Sequence, residues 1–168
     1  MSREYWITRF HAAVDEAVKP VEEANETRLN CKAGCADCCV DGLTVFALEA
    51  EEITRNYAEL LVTEEPHPDG GCAFLDGSKS CRIYAHRPYV CRTQGLPLRW
   101  IEEEDDEAYE ARDICPLNEA GTPLEELAAE ECWSIGPFEE RLAREQNNGE
   151  RVALRSLFDQ RRRLPLVR

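Results

Sequence analysis

Cysteines are the residues of this chain best suited to chemistry, and seven of the nine lie between residues 31 and 91. The segment CKAGCADCC packs four of them together as Cys31, Cys35, Cys38 and Cys39. This close spacing lets several thiolates from one loop converge on a metal, and the small residues between them let the backbone curl around it. Thiolates are soft ligands that favour zinc, copper(I) and iron–sulfur clusters over magnesium or calcium. The segment therefore predicts a metal centre held through sulfur.

The adjacent pair Cys38 and Cys39 bears on the number of metal atoms. Neighbouring side chains usually point in different directions, so the two do not easily complete one tetrahedral site. Either they serve different metal atoms, or one of them lies outside the coordination sphere. The full set of candidate metal ligands is Cys31, Cys35, Cys38, Cys39, Cys72, Cys81, Cys91 and Cys115. Such a set favours a polynuclear cluster or two sites over one lone zinc ion, and we predict an iron–sulfur cluster, with zinc as the alternative.

Composition and charge exclude several other functions. The net charge of −14 would repel a nucleic-acid backbone and, for the same reason, an anionic membrane surface. No stretch has the length of apolar sequence needed to span a bilayer, and the N-terminal residues lack the features of a secretory signal. We therefore expect a cytoplasmic protein that binds a metal ion or cluster, with no nucleic-acid or membrane partner and no protein partner indicated. Thiols stay reduced in that compartment, and the odd cysteine count also disfavours a disulfide framework.

The cysteine segments resemble a known family. They occur in the order CKAGCADCC, CAFLD, CRIYAHRPYVCR and then CP with a later Gly121. This pattern is similar to the bacterial CxxCxxCC (YkgJ-like) cysteine-cluster family, described as zinc- or iron-chelating, over residues 31 to about 121. The resemblance implies that the same eight cysteines are the metal ligands. One departure is that three residues separate Cys31 from Cys35, where the family's name implies two. The family includes flagellin lysine N-methylases, which are much longer chains, so their activity does not transfer to this one.

Helices and short hairpins must position these cysteines. Apolar spacing predicts helices over residues 3–29, interrupted at Pro20, and over 47–62. Short apolar runs predict a hairpin with strands 72–76 and 81–85 and another with strands 96–102 and 107–114, and the C-terminal third reads as helical. The expected fold is mainly α with small β-hairpins, a small metal-stabilised α+β domain. Residues 1–168 are expected to form one domain, in which helices at both ends frame the cysteine-rich region 31–115.

Two functions fit this arrangement, and a third remains open. One is a metal-binding protein that handles electrons or is purely structural, and the other is a metal-dependent enzyme, an oxidoreductase or a protein-modifying methyltransferase-like protein. Delivery of metal ions is the third possibility. If the protein is an enzyme, the first polar residues to mutate would be Tyr84, His86 and Arg92. His86 is also a candidate metal ligand. Cys132 lies outside the matched pattern and is interpreted as a buried structural cysteine.

Arginines near the cysteines are candidates for balancing charge. Arg82, Arg87 and Arg92 lie beside Cys81 and Cys91 in the sequence. A four-thiolate zinc site and an oxidised four-iron cluster each carry a charge of about −2, which neighbouring cations would offset.

Overall fold

The computed structural model describes residues 2–32, 34–105, 107–146 and 149–162. The chain begins with helix α1 (Arg3–Ala24), which is capped by the Ser2 hydroxyl. Its buried side chains are Ile7, Phe10, His11, Val14, Val18 and Val21. The predicted interruption at Pro20 is wrong, because the helix continues through the proline and ends at Ala24. Val18 and Val21 are buried on either side of Pro20, so packing of one helix face offsets the missing backbone hydrogen bond.

The other helices and strands are short. In chain order they are β1 (Thr44–Phe46), α2 (Ala47–Asn56), α3 (Ala58–Thr63), α4 (Tyr89–Thr93), β2 (Leu98–Glu104), β3 (Glu107–Asp113), β4 (Trp133–Ser134), α5 (Pro137–Glu145), β5 (Arg151–Ala153) and α6 (Ser156–Arg162). The helix predicted over 47–62 is thus divided between α2 and α3, with the break at Tyr57. Single 3₁₀ turns lie at Tyr84–His86, Pro116–Asn118, Leu124–Glu126 and Ala129–Glu131.

Two small sheets join distant parts of the chain. Strand β1 pairs antiparallel with β5, and Thr44 lies opposite Ala153. Strands β2 and β3 form the predicted second hairpin, in which Leu98 lies opposite Asp113 and Glu104 opposite Glu107. Strand β4 adds to the other side of β2 in parallel. The β2–β3 hairpin therefore carries the chain from α4 to the segment that contains Cys115.

The expected fold class was wrong in its emphasis. Helix accounts for 44% and strand for 16% of the structure, in six α-helices and two small sheets, which is a mixed α+β fold and not a mainly α one. The difference lies in the C-terminal third, where strands β4 and β5 and two 3₁₀ turns replace predicted helix. Val152 illustrates the reason, because its place is decided by pairing with Val45 of β1 and not by local apolar spacing.

Two hydrophobic clusters flank the cysteine-bearing loops. One gathers side chains from α2, α3, α6 and the 72–83 segment, and it includes Cys72 with Cys39 and Cys81 at its edge. The other packs α1 against α4, β4 and α5 around Phe10, Tyr89 and Trp133. Among the helices that the structure describes, none combines the length and apolar character needed to cross a membrane.

Candidate metal centre

Seven of the predicted ligands line one cavity of about 600 Å³. They are Cys31, Cys35, Cys38, Cys39, Cys72, Cys81 and Cys91. The remaining one, Cys115, lines a smaller cavity of about 310 Å³, and Cys38 lies in the walls of both. All nine cysteines are free thiols, the form from which metal–thiolate bonds are made. Cysteines from separate segments of the chain thus border a common space.

These thiols are neighbours and not a finished coordination sphere. Across the part of the chain that the structure describes, no three His, Cys, Asp or Glu side chains form a group that could hold a metal ion as they stand. The cavities identify which cysteines lie near one another, and the ligand set itself stays a prediction.

Tight turns shape the first cysteine segment. Each of two turns is closed by a backbone hydrogen bond of 2.9 Å, donated by the amide of Cys35 in the first and of Cys39 in the second. Gly34 has a φ of +85°, which glycine adopts at little cost. A hydrogen bond between the Cys38 and Cys39 side chains lowers the pKa of Cys38 and raises that of Cys39. The two adjacent sulfurs therefore lie close enough to influence each other.

A chain reversal brings Cys72 and Cys81 to the same segment. The Cys72 amide donates to the Cys39 carbonyl at 2.8 Å. The reversal is closed by one isolated bridge between Leu75 and Cys81, and the Asp76 carboxylate accepts hydrogen bonds of 2.8 and 2.9 Å from two serine amides of the turn. The two regular strands predicted here are absent from this described segment, since the Asp76 side chain takes hydrogen bonds that would otherwise extend a ladder.

Cys91 lies on α4, whose start is fixed by a buried carboxylate. Glu49 is only 2% exposed, accepts a hydrogen bond from the Tyr89 amide at 2.6 Å and pairs with His11 Nε2 at 3.1 Å. Tyr89 in turn accepts a hydrogen bond at its hydroxyl from Trp133 Nε1 at 2.9 Å. Sequence reasoning missed Glu49, because its partners His11 and Tyr89 lie 38 and 40 residues away, and its local bond from the Phe46 amide gives no sign of them.

Asn118 is the second functional candidate that sequence reasoning missed. It is fully buried, and its Nδ2 donates to the Gly95 carbonyl at 2.8 Å and to Cys31 Sγ at 3.4 Å. Its Oδ1 accepts from the Asn30 amide at 2.8 Å, and its own amide donates to the Cys115 carbonyl at 2.8 Å. One side chain thus joins the segments of Cys31 and Cys115. The only signal in the sequence is its position three residues after Cys115.

Gly95 completes a close fit around Cys31. Its φ is +91°, and a Cβ at this position would lie 2.7 Å from Cys31 Sγ and 3.3 Å from Asn118 Nδ2. Both the backbone conformation and the missing side chain are therefore required. The side-chain N–H of Asn118, beside the Cys31 sulfur, is the kind of donor that tunes a metal-bound thiolate.

Arg155, immediately before α6, ties two loops of the site together. Its Nε donates to Asp41 Oδ1 at 2.8 Å, just after the first cysteine segment. Its Nη1 and Nη2 donate to the carbonyls of His67 and Gly71 at 2.8 and 2.9 Å, just before Cys72. The residue that leads into α6 thus helps to hold the cysteine loops in place.

The lining of the larger cavity is positively charged for so acidic a chain. One carboxylate, Glu22, and four cations are found among its described lining residues, the cations being Lys32, Lys79, Arg87 and Arg92. Arg87 lies over the Tyr84 ring at 4.3 Å, and its buried Nε has no hydrogen-bond partner in the described structure. Arg92 pairs with Asp15 at 2.6 Å, whereas Arg82 donates to backbone carbonyls. Of the three arginines proposed to balance charge, Arg87 has the clearest access to the thiols.

Burial keeps most of these thiols protonated in the absence of metal. Desolvation raises the pKa of Cys31, Cys72, Cys81 and Cys91, because a thiolate loses hydration in the cavity. A bound cation would reverse this preference and release the protons to solvent.

Two other predicted candidates take structural positions. His86 Nδ1 hydrogen-bonds with the Tyr57 hydroxyl at 3.0 Å, and His86 is not among the described residues that line the larger cavity. Cys132 is buried as predicted, and its nearest recorded polar partner is Arg112 Nη1 at 3.9 Å.

Comparison with known proteins gives one family match. The sequence model of the CxxCxxCC family, described as "Putative zinc- or iron-chelating domain", matches residues 30–116, a span that contains all of the predicted ligands. No curated protein and no solved structure matches the chain significantly. The family match supports metal binding by this segment in general terms, with zinc and iron as its candidate metals.

Proposed function

Because the chain belongs to the CxxCxxCC family, we propose that it is a metal-binding protein whose cysteine thiolates hold an iron–sulfur centre, with zinc as the alternative. The proposed ligands are Cys31, Cys35, Cys38, Cys39, Cys72, Cys81, Cys91 and Cys115. The observation that carries the proposal is the grouping of seven of these cysteines around a single cavity. A donor set made of thiols suits soft metals and excludes magnesium and calcium as natural occupants.

Three features favour iron–sulfur over a single zinc ion. The thiols outnumber the four that one structural zinc takes, and the cavity of about 600 Å³ is much larger than one ion. The Asn118 N–H beside Cys31 Sγ and the surrounding cations supply hydrogen bonding and positive charge, which set the potential of such a cluster. When bound, the cluster would supply one-electron chemistry, and this chain's own part is to hold the sulfurs, donate the Asn118 hydrogen bond and limit access of water.

Metal analysis of protein purified without oxygen tests the proposal. We expect brown protein that contains iron and acid-labile sulfide in similar amounts, with cluster signals in electron paramagnetic resonance spectra after reduction. Colourless protein with stoichiometric zinc would support the alternative, and a chain that binds neither metal would refute the metal-centre proposal. Cys132→Ser is the matched control, because it removes a buried cysteine outside the proposed ligands and should leave the metal content unchanged.

A metal-dependent enzyme is the second candidate, and the open space beside the thiols favours it. The larger cavity falls within the range of ~300–1,000 Å³ common for small-molecule sites, and Arg87 Nε provides a buried, unpaired donor at its wall. A catalytic centre needs an open coordination position. Added cyanide or a small thiol should then change the electron paramagnetic resonance spectrum of the cluster. An unchanged spectrum would favour the electron-handling or structural role.

A further inference from the structure

The adjacent cysteines Cys38 and Cys39 belong to different surroundings. Cys38 lies in the walls of both cavities, whereas Cys39 lines only the larger one. The Cys39 carbonyl also accepts the backbone hydrogen bond from Cys72 at 2.8 Å, which ties it to the chain reversal at residues 72–81. The boundary between two groups of thiols therefore runs between these neighbours.

One group surrounds Asn118. The buried side-chain amide of Asn118 donates a hydrogen bond to Cys31 Sγ, and the backbone N–H of Asn118 donates one to the Cys115 carbonyl. Cys35 closes, with its backbone amide, the turn that follows Cys31, and Cys38 and Cys115 line the smaller cavity together. We call Cys31, Cys35, Cys38 and Cys115 the outer set, since it contains the exposed Cys31, whereas the other group contains the buried Cys72.

The second group lies against the hydrophobic cluster of α2, α3 and α6. Cys72 is buried in that cluster, and Cys39 and Cys81 pack against it. Cys91 lines the larger cavity together with these three cysteines. We call Cys39, Cys72, Cys81 and Cys91 the inner set.

We propose that the two sets form two separate four-sulfur metal sites, an outer site that includes the exposed Cys31 and an inner site that includes the buried Cys72. This inference rests on the proposed function and specifies how its ligands are divided. Each site matches the four thiolates that one zinc ion or one four-iron cluster takes. Binding forms bonds between Sγ atoms and the metal, and the thiol protons leave to solvent. The outer site exchanges its metal first, because water and chelators reach Cys31 more easily than Cys72.

Cobalt(II) is the probe, because its tetrahedral thiolate complexes absorb visible light. The full-length protein is reduced, stripped of metal in the absence of oxygen and titrated with cobalt. Native mass spectrometry then counts the cobalt ions bound per chain. We expect saturation at two ions per chain, at one ion for Cys115→Ser and Cys81→Ser, and at two for Cys132→Ser. Saturation of the wild type at one ion would overturn the division into two sites. Absence of cobalt binding by the wild type would instead refute the proposed function.

A second measurement needs no variant and so does not depend on variant folding. The two-ion protein is challenged with EDTA, and free thiols of the remaining one-ion species are alkylated and mapped by mass spectrometry. We expect Cys31, Cys35, Cys38 and Cys115 to be alkylated while the inner set is protected. Loss of both ions without a one-ion species, or alkylation spread evenly over both sets, would overturn the proposal.

Discussion

Replacing Gly95 with alanine would place a methyl group against the sulfur of Cys31. The new Cβ would lie 2.7 Å from Sγ, so the sulfur must move by about 0.7 Å to reach the 3.4 Å at which ordinary contact begins. Asn118 Nδ2, at 3.3 Å from the same Cβ, is displaced as well. Metal sites require their ligands to be held within about 0.5 Å, and loss of a supporting contact typically weakens metal affinity by ~10–100-fold. We expect G95A to weaken metal binding by that factor.

The backbone effect of this substitution is separable from its effect on the metal. Gly95 has a φ of +91°, and alanine in that region costs about 1–2 kcal/mol of folding free energy. Gly70→Ala is the matched control, because Gly70 has a φ of +98° with nothing within 4 Å of the added Cβ. Urea unfolding of the metal-saturated proteins should show this loss in both variants, with a further loss in G95A from its weaker metal binding.

Competition titrations with a coloured chelator then measure metal affinity. We expect G95A to bind the more weakly held ion less tightly than G70A, with the other ion little changed. Equal affinities in the two variants would refute the reasoning, because the contact of Gly95 with Cys31 would then have no bearing on the site.

Three further predictions concern stability. Metal removal should unfold residues 31–115 while the terminal helices partly survive, since apparent zinc affinities of ~10–16 kcal/mol rival the net stability of a domain. Hydrogen exchange measured with and without chelator tests this, and unchanged protection of residues 31–115 would contradict it. Burial raises the pKa of Tyr89 to about 12, so the neutral phenol stabilises the fold by up to about 2–3 kcal/mol below pH 10. That contribution is lost as the pH rises through 12, and denaturant melts of wild type and Y89F at pH 8 and 11.5 should converge at the higher pH. Glu49→Gln removes the charge from a buried carboxylate that takes part in three hydrogen bonds, with His11 and with the amides of Tyr89 and Phe46, which should cost about 1.5–3 kcal/mol. The exposed Glu51→Gln should change thermal stability by at most about 1 kcal/mol, and equal effects of the two would contradict the role of Glu49 in fixing α4.

Elements governed by local spacing were predicted well. The period of apolar residues located α1, and the short apolar runs at residues 96–102 and 107–114 located the β2–β3 hairpin. The chain reversal at residues 72–81 was predicted at the right position, but the Asp76 side chain takes hydrogen bonds that regular strands would need. The helix over 47–62 was also predicted at the right position, but it is divided in two by the break at Tyr57. The predicted helical C-terminal third failed where strand pairing with a distant segment decided the conformation.

The cysteine spacing, the soft-metal chemistry and the family were determined by the sequence alone, because all three depend on residue type and on neighbours along the chain. Only the tertiary structure decided which cysteines share a cavity and that Glu49, Asn118, Gly95 and Arg155 support them. Asn118 and Cys31 are 87 residues apart, and their contact arises from packing that orders two loops together. A one-dimensional pattern carries no record of such a distance, which is why the supporting residues were found only in the folded chain.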